Sequence, residues 1–322
     1  MSERLLPTSL HYLDHVAKCG SIQAAAKQLN ISASAIDRQI LLLEGHLGVS
    51  LFERMPRGMR PTAAGELIIT LARRWRREVR RIGADIRYLE GQNQGHLRLV
   101  AMDSLANGVL PDIAGRLHRD HPGVTLEIDI VPTDAALTAI VNGEADIGLV
   151  FNVYPHRELR VLWSAELPLG CVVAPTHDLA GMSSVSLQQA TQYPIALQNR
   201  ALMIRRYLEA RHDWLFQKGH PPVTTNSLQL VKMLAVSGDF IMLTSELDAA
   251  PELASGALIF VPIRDKAAEA QTISVVVSAR SPLSKLGQMV AGVTAEEAAA
   301  SLASARNVRP VPTGSDEAEA GE

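Results

Sequence analysis

Residues 21–47, SIQAAAKQLNISASAIDRQILLLEGHL, read as two short helices joined by a tight turn. The Ser21 hydroxyl is placed to cap the first helix, and Ala24, Ala25 and Ala26 let another backbone approach closely. Asn30 tolerates the left-handed conformation that ends a helix, after which Ser32 caps a second helix running from Ala33 to about His46. On that helix Ile36, Ile40 and Leu43 recur at helical spacing and turn inward, leaving Ser34, Asp37, Arg38 and Leu41 on or near the outer face. Such a face suits the major groove of DNA. Taken alone, the stretch fits a plain helical hairpin in a larger bundle equally well.

The next residues separate the two readings. In VSLFERMPRGMRPTAAGE (49–66), Leu51 and Phe52 supply an apolar anchor, and Arg54, Arg57 and Arg60 flank a turn marked by Pro56 and Gly58. Three guanidiniums on so short an element are suited to phosphate or minor-groove contact, as in a basic wing. A solvated basic loop is the alternative, less favoured directly after a helix-turn-helix.

The order of AAAKQLNISASAI (24–36), RQILLLEGHLGVSLFER (38–54) and RPTAAGE (60–66) resembles the N-terminal domain of the LysR-type transcriptional regulators. The resemblance runs from Leu10 to about Ala300, because the later chain follows the regulatory domain of that family. Each signal alone is ambiguous; several in one order at the right separations are specific. Two positions depart from the family pattern: Ala33 stands where Gln is usual, and Asp37 where Ser is usual. Asp37 is able to accept a hydrogen bond from cytosine N4 but repels phosphate, so base preference is not transferable from relatives.

Thr62 is placed to cap a third helix, which meets no Pro or Gly from Glu66 until Gly83. Along it Ile68, Ala72, Trp75, Val79, Ile82, Ile86 and Leu89 step alternately by four and three, the spacing of a heptad seam that pairs with a second copy. Members of the resembled family dimerise through this helix, which implies the same role for Ile68, Trp75, Val79, Ile82, Ile86 and Leu89. RRWRREVRR (73–81) packs six arginines into nine residues, more basic than a seam requires. It reads as a contact to flanking DNA or to an acidic domain, or else as a salt-bridged surface helix with Glu66, Glu78, Asp85 and Glu90.

Charge supports a division of labour. Residues 1–94 carry 14 Lys and Arg against 9 Asp and Glu, whereas the whole chain carries 31 against 34. A basic N-terminal part suits a polyanion, and an acidic remainder is held off it by repulsion. The length of 322 residues exceeds one typical core, and 47% hydrophobic residues suffice to fill several. Without an apolar run of membrane-spanning length or a signal-peptide pattern, a cytoplasmic location with no membrane partner is expected. Cys19 and Cys171 fall in different expected domains, which disfavours a structural disulfide. The ten histidines show no ligand spacing, so no metal and no cofactor is expected.

After a break at Gly91–Gly95 the pattern becomes short strands alternating with helices. Strands are expected at 97–101, 124–131, 146–151, 160–163, 167–174, 195–198, 223–225, 240–244, 258–261 and 273–278, and helices at 110–120 and 134–142. This alternation implies a mainly parallel sheet covered by helices. SLQQ at 186–189 is a capping box, and Leu228, Val231 and Leu234 give the following helix a buried edge. By resemblance the region is a two-lobed, periplasmic-binding-protein-like α/β domain. Its cleft gathers strand ends and helix N-termini, which favour anions. The cleft candidates are Ser104, Thr133, Phe151, Asn199, Asn226 and Ser227, each of which also reads as a plain cap or as core.

The expected organisation is multidomain: an all-α winged helix-turn-helix over 1–62, a linker and dimerisation helix over 63–92, and a regulatory domain over 95–305. Lobe I takes about 95–165 and 265–305, lobe II about 166–264, and a disordered acidic tail fills 306–322. The function implied is a sequence-specific regulator that binds double-stranded DNA through Ser21, Ser32, Ser34, Asp37, Arg38, Arg54, Arg57 and Arg60. A small, anionic metabolite would control it, acting on a homodimer or homotetramer, with RNA polymerase as a further partner if it activates. An α/β enzyme, or a ligand-binding protein with a vestigial DNA-binding head, is the competing class. Against the enzyme, the sequence offers no P-loop, no dinucleotide fingerprint and no nucleophile elbow.

Overall fold

The computed structural model describes residues 7–56, 58–89, 94–199, 203–212, 214, 222–265 and 268–307. The head opens with α1 (Thr8–Cys19), α2 (Ile22–Leu29) and α3 (Ala33–Leu47). Its turns are made as the short polar residues dictate: Ser21 Oγ accepts from Ala24 N, Asn30 sits at φ 54°, and Ser32 Oγ accepts from Ala35 N. Leu13, Val16, Ile22, Ala25, Ile36, Ile40, Leu51 and Phe52 close one core, with Leu43 packed at its edge.

The wing is a hairpin of β1 (Phe52–Met55) and β2 (Gly58–Pro61), paired antiparallel from Phe52↔Pro61 to Met55↔Gly58. Gly58 adopts φ 129°, and a Cβ there would stand 2.4 Å from the Gly20 carbonyl oxygen. Only glycine lets the wing lie so close to the α1–α2 turn, where Met59 N donates to Gly20 O at 2.7 Å.

Helix α4 (Ala63–Leu89) is capped by Thr62, whose Oγ1 accepts from Gly65 N. Its first turns belong to the head. Ile69 and Ala72 are buried, Ile69 in the head core, and Ile68 packs against that core. The expected break between a head ending at 62 and a separate linker therefore has no counterpart in packing, and Ile68 packs against the head core of its own chain.

Lobe I is a five-stranded sheet in the order β4-β3-β5-β12-β6, with β3 Gly95–Ala101, β4 Val124–Ile130, β5 Ile147–Phe151, β6 Leu159–Leu167 and β12 Gln271–Ser278. Helices α5 (Val109–Asp120), α6 (Thr133–Asn142) and α11 (Lys285–Asn307) supply apolar residues to its core. Lobe II holds β7 (Gly170–Val173) between β10 (Met242–Thr244) and β11 (Ile259–Pro262). A bridge between Ile195 and Ile241 joins this sheet to the parallel pair β8 (Ala196–Gln198) and β9 (Val223–Thr225). Along β7 the side chains alternate between two clusters, Cys171 and Val173 to one and Val172 to the other, as period-two geometry requires. Helices α7 (Leu187–Ala190), α8 (Met203–Arg211), α9 (Leu228–Val236) and α10 (Ala250–Ala254) complete the lobe, and the capping box at Ser186 is formed.

Four expectations need correction. The sheets are mixed rather than mainly parallel: β3, β4 and β5 run parallel, whereas β12 is antiparallel to both neighbours and β7 to both of its own. The expected strands at 160–163 and 167–174 divide differently, since β6 continues to Leu167, opposite Gln271. The lobe boundary at 165/166 consequently falls inside a strand. Finally, the tail expected from 306 begins with helix: Arg306 Nε donates to the buried Glu246 at 2.7 Å. Residues 308–322, and the acidic stretch with them, lie outside the described residues.

Candidate nucleic-acid interface and effector cleft

The outer face of α3 and the wing enclose a groove of about 410 Å³, bordered by Ser34, Asp37, Arg54, Met55 and Gly58. Ser34 and Arg38 are exposed on α3 and Arg60 on β2; neither arginine makes an ion pair among the described residues. Arg57 lies outside those residues. Ser21 and Ser32 spend their hydroxyls on the helix caps, and Ser34 Oγ lies 3.2 Å from Ser32 Oγ. The Asp37 carboxylate is paired: Arg54 Nη2 donates to its Oδ1 at 3.0 Å. With the two side chains 36% and 72% exposed, this pair contributes no more than about 1 kcal/mol to folding. Gln23, also on the groove, was not singled out from sequence, where a glutamine on a short helix carries no signal.

Three arginines of the α4 cluster, Arg73, Arg76 and Arg77, are turned inward. Asp14 on α1 is 0% exposed and accepts from Arg73 Nε at 2.7 Å and Arg76 Nη1 at 2.6 Å, with Lys18 Nζ at 3.5 Å. Burial alone would raise the Asp14 pKa; the Arg73 and Arg76 hydrogen bonds and the Lys18 and Arg76 charges outweigh it and hold the carboxyl below its ordinary value. Arg73 also reaches Glu144 Oε1 at 3.5 Å, joining head to lobe I. Arg77 Nη1 donates to Val141 O at 2.8 Å at the carboxyl end of α6, and Asp85 Oδ1 accepts from Lys285 N at 3.1 Å at the amino end of α11. Each charge sits at the helix end whose dipole it complements. A Cβ at Gly143 would stand 1.8 Å from Arg77 Cδ, so that glycine makes room for the arginine. Of the two sequence readings of this cluster, the acidic-domain contact describes Arg73. Arg81 instead pairs locally with Glu78 and Asp85.

The remainder of the apolar stripe stays open. Trp75, Ile82 and Ile86 are 45%, 42% and 51% exposed, and Val79 is half-buried. Nothing is described of the Leu89 side chain.

In the regulatory domain, Ser104 lies in the 3-10 turn after β3, Thr133 starts α6 and Phe151 ends β5. Thr133 and Phe151 are only 1% and 4% exposed, and the Thr133 hydroxyl donates to the Phe151 carbonyl at 3.4 Å. Both are struts of the lobe I core and do not present surface to a cleft, which corrects their assignment. In lobe II, Asn199 N donates to Thr225 O at 2.8 Å, Asn226 is exposed and Ser227 caps α9 through Leu230 N. The ends of β8 and β9 are thereby held together. Contacts that span the lobes include Arg206 on α8 with Asp134 on α6 at 3.4 Å, and Asn107 with Gln229 at 3.5 Å and Glu252 at 3.2 Å. Sequence reading missed these pairings because their members are distant along the chain. Cys171 is fully buried, and burial pushes its thiol up to about 12.

Among the described residues no helix is long and apolar enough to cross a membrane, and no cluster of three His, Cys, Asp or Glu is placed to hold a metal.

Residues 7–66 match the family of bacterial regulatory helix-turn-helix proteins of the lysR type, and residues 90–298 match the LysR substrate binding domain. Among curated proteins, the chain is 27% identical over 271 residues to the HTH-type transcriptional regulator YdcI of Escherichia coli (strain K12), covering 81% of this chain and 86% of that protein. It is 27% identical over 241 residues to a probable nitrogen assimilation transcriptional activator of Synechococcus elongatus, covering 71% and 74% respectively. In fold it is similar to a full-length OxyR variant from Pseudomonas aeruginosa, with a TM-score of 0.64 at 20% identity over 90% of this chain and 93% of that one. An OxyR variant from Corynebacterium glutamicum gives 0.55 at 19% identity over 96% and 98%. A winged head joined by one helix to a two-lobed α/β domain, with both family domains matched in that order, places this chain in the LysR family of DNA-binding transcriptional regulators.

Proposed function

We propose that this regulator binds operator DNA as a cytoplasmic homodimer or higher homo-oligomer, without catalysis, and that a small anionic metabolite between the lobes tunes the binding. The observation that carries the reading is the open groove between α3 and the wing, with Ser34 on its border and Arg38 exposed on the same helix. Ser34 and Arg38 read base edges in the major groove, while Arg54, Arg57 and Arg60 engage the backbone. Trp75, Val79, Ile82 and Ile86 form the seam to a second copy, since an apolar stripe exposed on an otherwise charged helix is stable only when covered. Ser104, Asn199, Asn226 and Ser227 are the effector contacts, with the strand and helix ends supplying backbone N–H groups for an anion.

The contacts of α6 give a route from cleft to head. Its amino end carries Asp134, paired with Arg206 of the other lobe, and its carboxyl end is held by Arg77 of α4. A ligand that changes the Arg206–Asp134 separation moves a packed helix of roughly 15 Å whose far end is fixed to the linker. Only a ligand with different affinity for the two arrangements shifts the equilibrium. Cys171 takes no part in this route, since its thiol is buried and held protonated by its apolar surroundings.

Selection of a randomised duplex pool by the full-length protein tests the reading. Enrichment of a two-fold-related motif, with half-sites on one face of the duplex, is expected. A pool that remains random through successive rounds contradicts it.

A further inference from the structure

The carboxylate at position 37 stands on a surface built to meet a polyanion. Left alone it would repel phosphate, yet it borders the groove between α3 and the wing. Its Oδ1 instead accepts from Arg54 Nη2 at 3.0 Å. The geometry of both partners is fixed from outside the pair. Asp37 follows the buried Ile36 on α3, and Arg54 lies on β1 opposite Met59, whose N–H is tied to Gly20 O at 2.7 Å. The wing is thus anchored to the α1–α2 turn, and the guanidinium bridges from wing to recognition helix. A guanidinium has five N–H donors, so one bond to Asp37 leaves the rest for the groove.

We propose that Asp37 is a positioning residue for Arg54: it holds the wing guanidinium over the groove, and the pair, rather than the carboxylate alone, meets the DNA backbone. The inference rests on the groove being the DNA-facing surface. In this arrangement the charge of Asp37 is compensated before DNA arrives. Its cost to binding is small, and what it supplies is a fixed direction for a long, otherwise freely rotating side chain. A base-reading Asp37 would aim its acceptor oxygens at cytosine N4 and act without reference to Arg54. The two roles differ in one respect that is measurable: whether the effect of removing Asp37 depends on Arg54 being present.

The experiment selects a randomised duplex pool with the full-length wild type and with D37A, D37N, R54A and the D37A/R54A double variant, then measures affinity for the enriched duplex and for random DNA against salt. D37A is expected to enrich the wild-type motif with the same preferred base at every position, while its affinity falls several-fold for motif and random DNA alike. D37N, which keeps an acceptor for Arg54, is expected to restore most of that affinity. R54A is expected to lower the slope of log affinity on log salt by roughly one. In the R54A background, D37A is expected to change the affinity less than about twofold, the non-additivity of two groups acting as one. A changed base at one motif position in D37A that persists without Arg54, or full additivity of the two substitutions, overturns the proposal. A wild type that enriches no motif overturns the groove assignment beneath it, a result distinct from either.

Discussion

Two groups of arginines carry the same side chain to opposite ends. In the wing, Arg54 and Arg60 are exposed on strands held by a hairpin register, and Arg54 borders a groove. On the linker helix, Arg73 and Arg76 close over the buried Asp14, and Arg77 caps the carbonyls of α6. The difference lies in the environment each element reaches. β1 and β2 present Arg54 and Arg60 to solvent, whereas α4 runs between the head and lobe I, where Arg73 and Arg76 meet Asp14 and Arg77 meets the end of α6. A run of arginines on a DNA-binding chain is thus no measure of how much DNA it touches; here Arg73 and Arg77 of the denser run fasten the head and its helix to lobe I.

The contrast can be tested in order of expected effect. Replacing Asp14 by Ala leaves two guanidiniums, each about one-fifth exposed, without their carboxylate, and is expected to destabilise the head by about 3 kcal/mol in denaturant unfolding. The pH dependence follows from the depressed folded pKa. The unfolded carboxyl titrates near 3.8, so the stabilisation is complete above that value and is lost as pH falls through the lower folded value. The wild type is expected to lose this increment below about pH 4, and the Asp14→Ala variant to have none to lose.

Next in size is the seam. Trp75→Glu puts a charge where an apolar partner is expected and should raise the dimer dissociation constant at least about tenfold in sedimentation velocity, whereas Arg74→Ala beside it should not. Gly143→Ala tests the clamp on α6. With φ at 71° and Arg77 in the way, it is expected to cost about 1–3 kcal/mol and to loosen the linker from lobe I, read by faster hydrogen exchange at the end of α6. Smallest is Arg60→Ala, expected to leave stability within about 0.5 kcal/mol while lowering the salt slope of DNA binding by roughly one.

How much of this was legible beforehand follows from the range of the interactions. The head could be read because its signals are local: Ser21 and Ser32 each bond three residues on, and Asn30 ends α2 by its own backbone preference. The heptad stripe was visible too, but not where it divides, since Ile68 packs against a core whose members come from α1 to α3, from Leu51 and Phe52, and from Ile69. Asp14 gave no signal at all, as its partner Arg73 is 59 positions away. In the regulatory domain the strands could be located by alternation, while the direction of β12 depends on a chain return that no local pattern encodes. Thr133 and Phe151 illustrate the same limit for the cleft: their places at element ends were readable, and their inward direction was not.

The most direct test of the account is the sequence discrimination of Arg38→Ala in the full-length protein, measured as affinity for the selected motif relative to random duplex at one salt concentration. The expected result is that the motif loses its advantage while binding to random DNA, and its salt dependence, remain. An Arg38→Ala protein that prefers the motif as strongly as the wild type would contradict the assignment of the outer face of α3 as the reading surface.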